Sequence, residues 1–182
     1  MTSKQNTEEL FENIGNDSLH WLAQAKGLKM IADTILPLLQ EELSIPPAIQ
    51  GTQQKRLAYV GSYMLLTGLA FENLIKGILI GRDPTLVTKE KIESGILTRK
   101  GHGITEGAEN IISLTTDELQ LLNRIEEYLF WAGRYPLPLK VGIFLNSEVQ
   151  ELRSYRNSDP TSINEVFGKL VVVLEQERKA RG

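Results

Sequence analysis

Residues 57–80 read LAYVGSYMLLTGLAFENLIKGILI, and this stretch decides the fold. At 100° per residue, Leu57, Val60, Met64, Leu65, Leu69, Phe71, Leu74, Ile75, Ile78 and Leu79 cover more than half of a helix circumference. A helix that is apolar nearly all round belongs inside a bundle, so the spacing predicts one buried central helix over about residues 54–80. Glu72, Asn73 and Lys76 interrupt the run, a group that a membrane span rarely tolerates, and no membrane association is expected. Gly61 and Gly68 fall on one stripe. Each costs about 1 kcal/mol relative to alanine in a helix interior, so a closely packed neighbour is expected to offset it.

Upstream, a helix is predicted to open at Ser18, an N-cap candidate preceded by Asp17. Trp21, Ala25, Leu28, Ala32, Ile35 and Leu39 then recur at steps of four and three, the seam of a bundle helix. Pro37 inside this pattern should kink the helix or end its regular part, and residues 44–48 read as an extended linker. Residues 1–16 are polar, lack the apolar core of a signal peptide, and read as a flexible or loosely packed arm.

Downstream, residues 81–103 lose periodicity and gain charge, which suggests a connector with a short helix near residues 89–94. A modest helix should follow Gly101-His102-Gly103. Thr115-Thr116-Asp117-Glu118 is a capping box, opening a helix with Leu119, Leu122, Ile125 and Leu129 on its inner face. That helix should end at Trp131-Ala132-Gly133, with Gly133 left-handed and Pro136 and Pro138 preventing continuation. Residues 142–146 read as a loop and 147–158 as a short helix. After Pro160 a last helix buries Ile163, Val166, Phe167, Leu170, Val173 and Leu174, then frays over 175–182. The sum is a single all-α domain spanning 1–182, an antiparallel bundle of about five helices around the buried central one.

Composition agrees. The 182 residues are 41% hydrophobic and 24% charged, enough for one core without staples. The chain has no cysteine, which excludes disulfides, thiolate metal sites and cysteine nucleophiles and fits a reducing cytoplasm. A net charge of −3 argues against a non-specific DNA coat. Two histidines far apart, without a dense carboxylate motif, give no expectation of a metal, and no cofactor motif occurs.

Chemistry can sit in four places. Glu72 and Lys76 are four apart with the acid first, the favoured order for a helical ion pair, and they point into apolar surroundings. A buried carboxylate must be paired or protonated, and Lys76, His102 and Arg134 are the candidate partners. The cluster either fixes helix packing or lines a pocket. His102, between two glycines, suits acid–base or phosphate chemistry, or else a helix cap. In Trp131-Ala132-Gly133-Arg134-Tyr135-Pro136-Leu137-Pro138, Arg134 has the fork that recognises carboxylate or phosphate, and the aromatics suit a nucleotide base. Alternatively those rings seal the bundle while Arg134 binds Glu72 or the carbonyls at the helix end. Arg153-Ser154-Tyr155-Arg156-Asn157 gathers two arginines, otherwise a solvated face.

The order Leu69-Ala70-Phe71-Glu72-Asn73-Leu74-Ile75-Lys76, then Gly101-His102-Gly103-Ile104, then the string beginning at Trp131 resembles uncharacterised bacterial helical proteins related to the HEPN superfamily. The resemblance covers roughly residues 59–139. It implies an antiparallel helical bundle, often dimeric, and RNA binding or ribonuclease activity in toxin–antitoxin and other defence systems. Active members use an arginine, a polar residue and a later histidine. Arg156-Asn157 matches that opening, but Ser158-Asp159-Pro160-Thr161 follows and no histidine lies downstream, so the usual ribonuclease motif is incomplete.

Two readings follow. In one the chain is a HEPN-like module binding RNA or nucleotide, with His102 and Arg134 as candidate catalytic residues and Glu72, Asn73, Lys76, Tyr135, Arg156 and Asn157 as candidate ligand contacts. In the other it is a non-catalytic homodimeric scaffold, or binds a partner protein, and its charges hold the bundle together.

Overall fold

The central segment does form one uninterrupted helix. The computed structural model describes residues 3–46, 52–97 and 102–180. Among them are seven α-helices: α1 (Ser3–Asn16), α2 (Ser18–Ser44), α3 (Thr52–Arg82), α4 (Ile104–Glu109), α5 (Thr116–Glu127), α6 (Val141–Val149) and α7 (Asp159–Lys179). No strand occurs among the described residues, and the class is all-α.

Helix α3 packs against α2, α4, α5 and α7, the arrangement its all-round apolar surface requires. Tyr63, Met64, Phe71, Leu74 and Ile75 are fully buried on it, and Phe71 meets Phe167 of α7 edge to face at 5.6 Å between ring centres. By length and composition alone α3 is apolar enough to cross a membrane, but 61% of its most apolar window is buried inside the protein, as in a core helix. The expected inward position of Leu57 is corrected: it lies 68% exposed in the second turn of α3, before the neighbouring helices close around it.

Small residues let α3 approach its neighbours. A methyl group at Gly68 would sit 3.2 Å from Ile125 and Leu129, so the close packing expected there is present. A methyl at Gly61 would meet nothing within 4 Å, so packing of its own α-carbon does not account for that glycine. Gly77 makes the closest approach on this helix, with the Trp21 β-carbon 2.6 Å from where its own would be.

Helix α2 begins where predicted, but the capping side chain is Asp17, which accepts from the Leu19 backbone N–H at 2.9 Å. The helix continues through Pro37 to Ser44. Ala25, Ala32 and Leu39 of the predicted seam are fully buried. Pro47 and Ala48 of the expected linker lie outside the described residues, as do Arg99, Lys100 and Gly101 of the connector. Residues 3–16, read as an arm, are helical. The Trp21 indole donates to the Gly15 carbonyl at 2.7 Å, and Gly15 packs under Val87.

The predicted helix near 89–94 is absent. The chain makes a single 3-10 turn at Pro84–Leu86 and an isolated antiparallel bridge between Val87 and Ile92, consistent with a short charged segment that has no apolar face to bury. The capping box of α5 is complete: Thr115 N–H donates to Glu118 Oε2 at 2.9 Å, and Glu118 N–H to Thr115 Oγ1 at 3.3 Å. Past Glu127 the helix widens into a π-turn, Tyr128–Ala132. Gly133 follows at φ −83, not left-handed as predicted. Close packing explains it: a methyl there would lie 2.8 Å from the Leu65 β-carbon and 2.9 Å from the Tyr128 carbonyl.

The segment between Pro138 and Pro160 differs most from its reading. Helix α6 spans Val141–Val149, where a loop was expected, and residues 150–158 are turns instead of helix. Glu151 there has φ 52, in the left-handed region that a residue with a β-carbon rarely adopts. Helix α7 carries Pro160 in its first turn, where a missing N–H costs nothing.

Candidate functional site

The charged cluster on α3 is closed on itself. Glu72 is buried, with Oε1 accepting from Lys76 Nζ at 2.6 Å and Oε2 facing His102 Nδ1 at 2.8 Å. One turn of helix supplies the lysine. The buried Gly103 at the head of α4 brings in the histidine. The carboxylate therefore meets the requirement that burial imposes. An acid held against Nδ1 also fixes the imidazole's orientation, leaving Nε2 as its working edge.

Arg134 does not join this cluster. Its Nη2 donates to the Phe130 carbonyl at 2.5 Å, closing the end of the π-turn, and its guanidinium lies over the Tyr135 ring at 5.6 Å. Both residues are exposed. Asn73 turns back onto its own helix, donating to the Leu69 carbonyl at 2.7 Å. Arg156 and Asn157 are exposed on the turn before α7, well separated in sequence and contacts from Glu72. The candidate residues thus fall into three places: Glu72, Lys76, Asn73 and His102 along α3, Arg134 with Tyr135 at the π-turn, and Arg156 with Asn157 before α7.

The π-turn builds a cleft of about 550 Å³, within the range of small-molecule sites. Tyr128, Trp131, Tyr135, Ser147, Glu151 and Arg153 are among its walls. Trp131 is buried, its indole N–H donating to Glu127 Oε1. Arg153 lies over the rings of Trp131 at 5.6 Å and Phe144 at 4.9 Å, and pairs with Glu148. Burial pushes the Tyr128 hydroxyl up to about 12, against the opposing pull of Arg153, and this hydroxyl donates to the Arg153 carbonyl at 2.6 Å. Among the described residues, Ser147 Oγ, Ser154 Oγ and Arg153 Nε have no hydrogen-bond partner although buried. These three atoms lie around one cleft.

A smaller cleft of about 310 Å³ adjoins it across Glu151. Arg124 is in its wall, a residue that sequence reasoning did not single out. Arg124 pairs with Asp159, both buried, and burial pulls the guanidinium below its ordinary range against the pull of Asp159. The signal was present. Arg124 follows Leu121 by three and precedes Tyr128 by four, so it sits on the apolar stripe of α5 where a charge needs a partner.

The last feature is apolar. Helix α6 exposes Val141 (75%), Leu145 (57%) and Val149 (83%), one stripe at steps of four, and Leu137 and Leu139 extend it. On its inner side Ile143 and Phe144 are half-buried, Phe144 against Trp131, and Ser147 is buried. Among the described residues no cluster of three or more histidine, aspartate or glutamate side chains is placed to hold a metal. No protein-family model, curated protein or solved structure matches the chain.

Proposed function

We propose that the chain is a non-catalytic interaction module that self-associates through α6. The carrying observation is the stripe of Val141, Leu145 and Val149, exposed on a helix that has little packing of its own. Contiguous exposed apolar surface of this kind marks an interaction site. The occupant is a second copy because the stripe is self-complementary. With a two-fold axis beside Leu145, two antiparallel α6 helices place Val141 against Val149 of the second copy and Leu145 against itself. The same arrangement brings exposed Lys140, which has no ion pair among the described residues, toward Glu148 and Glu151 of the second copy. The internal pairing of Glu72 with Lys76 and His102 supports the same reading, since it assigns those side chains a packing role.

Sedimentation of the full chain across a concentration series tests this. Wild type should form a dimer, and Leu145→Asp should be monomeric with an unchanged helical spectrum. A monomeric wild type at high micromolar concentration would overturn the reading.

One observation favours a second reading, an RNA- or nucleotide-binding module of HEPN-like type. Tyr135 is exposed in the wall of the aromatic cleft and the exposed Arg134 lies over its ring, a cation beside ring surfaces on which a base stacks. Titration against a mixed RNA pool and a nucleotide panel at two salt concentrations, wild type against Arg134→Ala, decides it. Binding that weakens with salt and disappears in the variant supports this reading. Absence of binding at both salts removes it.

A further inference from the structure

We propose that the smaller cleft, between α5 and the turns preceding α7, is a binding site for a phosphate-type oxyanion. Its polar walls are Gln120, Asn123, Arg124, Gln150, Glu151 and Arg156. Arg124 is only 3% exposed, and one edge of its guanidinium is used: Nη2 donates to Asp159 Oδ1. Nε and Nη1 have no partner among the described residues. A buried guanidinium with two idle nitrogens, carrying three N–H groups between them, is costly, because each donor has left water without replacement. An acceptor entering the cleft supplies that replacement.

The second cation is Arg156. Its backbone N–H donates to Asp159 Oδ2 at 2.8 Å, which fixes the position of the residue beside Arg124, while its side chain is exposed and in no ion pair among the described residues. The two arginines are close enough for Arg156 to help pull Arg124 below its ordinary range. Asp159 forms a side-chain ion pair with Arg124 alone, so the Arg156 charge stays unbalanced beside it, and an oxyanion between the two arginines removes the remaining repulsion.

The donor count selects the class. Arg124 offers three N–H groups on Nε and Nη1, Arg156 its whole fork, and Gln120 and Asn123 their side-chain amides, more than the two oxygens of a carboxylate accept conveniently. The three terminal oxygens of a phosphate match this set better. Asp159 already balances Arg124, and Glu151 is in the same wall as Arg156. Glu151 therefore opposes the anion and limits its affinity. Two substitutions should act in opposite directions: removal of the Arg156 charge weakens binding, and removal of the Glu151 charge strengthens it. The cleft shares Val149 and Glu151 with the α6 contact proposed above, and Arg156→Ala separates the two because it leaves the α6 stripe, Glu151 and Arg134 in place.

The test is thermal unfolding and isothermal titration of the full chain with inorganic phosphate, with acetate and chloride at matched ionic strength, and with adenosine monophosphate as a soluble monoester. Phosphate should raise the melting temperature of wild type and saturate, with acetate giving no more than chloride. Arg156→Ala should lose at least tenfold in affinity, and Glu151→Gln should gain several-fold. Monoester binding that competes with phosphate assigns the terminal group of an organic phosphate, and phosphate binding alone assigns the free ion. Equal effects of phosphate and chloride would overturn the proposal, as would phosphate affinity that is the same in wild type, Arg156→Ala and Glu151→Gln. Arg156→Lys serves as the second variant: it keeps the charge and loses the fork, and should bind more weakly than wild type and more tightly than Arg156→Ala.

Discussion

Helix α3 and helix α6 are both rich in apolar residues, yet one has covered its surface and the other has not. On α3 the single buried carboxylate, Glu72, has a partner on each oxygen, and Phe71, Leu74 and Ile75 are fully enclosed. Around α6 three large aliphatic residues face outward, and the neighbouring walls hold Ser147, Ser154 and Arg153 with polar atoms unpaired among the described residues. A folded chain rarely leaves both kinds of deficit in one place without a use for them. The comparison separates charges that hold the protein together from a surface that the fold leaves uncovered.

The largest effects should come from the enclosed region. Phe71→Ala should cost about 3–5 kcal/mol, from lost transfer energy and the cavity left against Phe167. Asp159→Ala should cost a similar amount, about 3–5 kcal/mol, by leaving Arg124 buried without its counter-charge. Urea unfolding measures both. A loss under 1 kcal/mol at either position would mean that the enclosed half of the comparison is far looser than its burial shows.

An intermediate effect belongs to Glu118, which joins α5 to α7 through Lys169. Burial pushes its carboxyl up, but hydrogen bonds from Lys169 (2.6 Å) and Thr115 outweigh this and hold it below the ordinary carboxylate range. As pH falls, the unfolded chain binds this proton first. The stabilisation is therefore present above the ordinary carboxylate range and lost as pH falls through the lower, folded-state value. The stability advantage of wild type over Glu118→Gln should shrink as the pH is lowered from neutrality into the acid range. A difference that grew on acidification would contradict this sign.

The smallest effect should be at α6. Leu145→Ser should change the unfolding free energy of the dilute, monomeric chain by no more than about 0.5 kcal/mol, because the residue is not packed. A loss comparable to that of Phe71→Ala would show that the stripe belongs to the core.

How much was legible follows from what each segment buries. The all-α class, the extent of α3, the seam of α2 and the capping box of α5 came through because periodic burial and side-chain caps are local, repeated signals. The Glu72–Lys76 pair was legible for the same reason, and His102 was one of three candidate partners because a buried acid demands one. For Arg134 a pairing with Glu72 and a contact with helix-end carbonyls were both open, and the structure has the second; no local rule distinguishes an arginine that closes its own helix end from one that reaches across. The 141–158 region was read one element out of register. Val141, Leu145 and Val149 face outward, so the usual inference from apolar spacing to core had nothing to work on. The Arg124–Asp159 pair, 35 residues apart, was beyond any local pattern.

The central claim, that α6 is the contact between two copies, is tested most directly by a single cysteine. The chain has none, so Leu145→Cys introduces the only thiol, and on the proposed axis it faces itself. Mild oxidation at low micromolar concentration should give a disulfide-linked dimer with Leu145→Cys and almost none with Val172→Cys, which places an exposed thiol on α7. Equal cross-linking of the two variants, or none at position 145, would contradict the account.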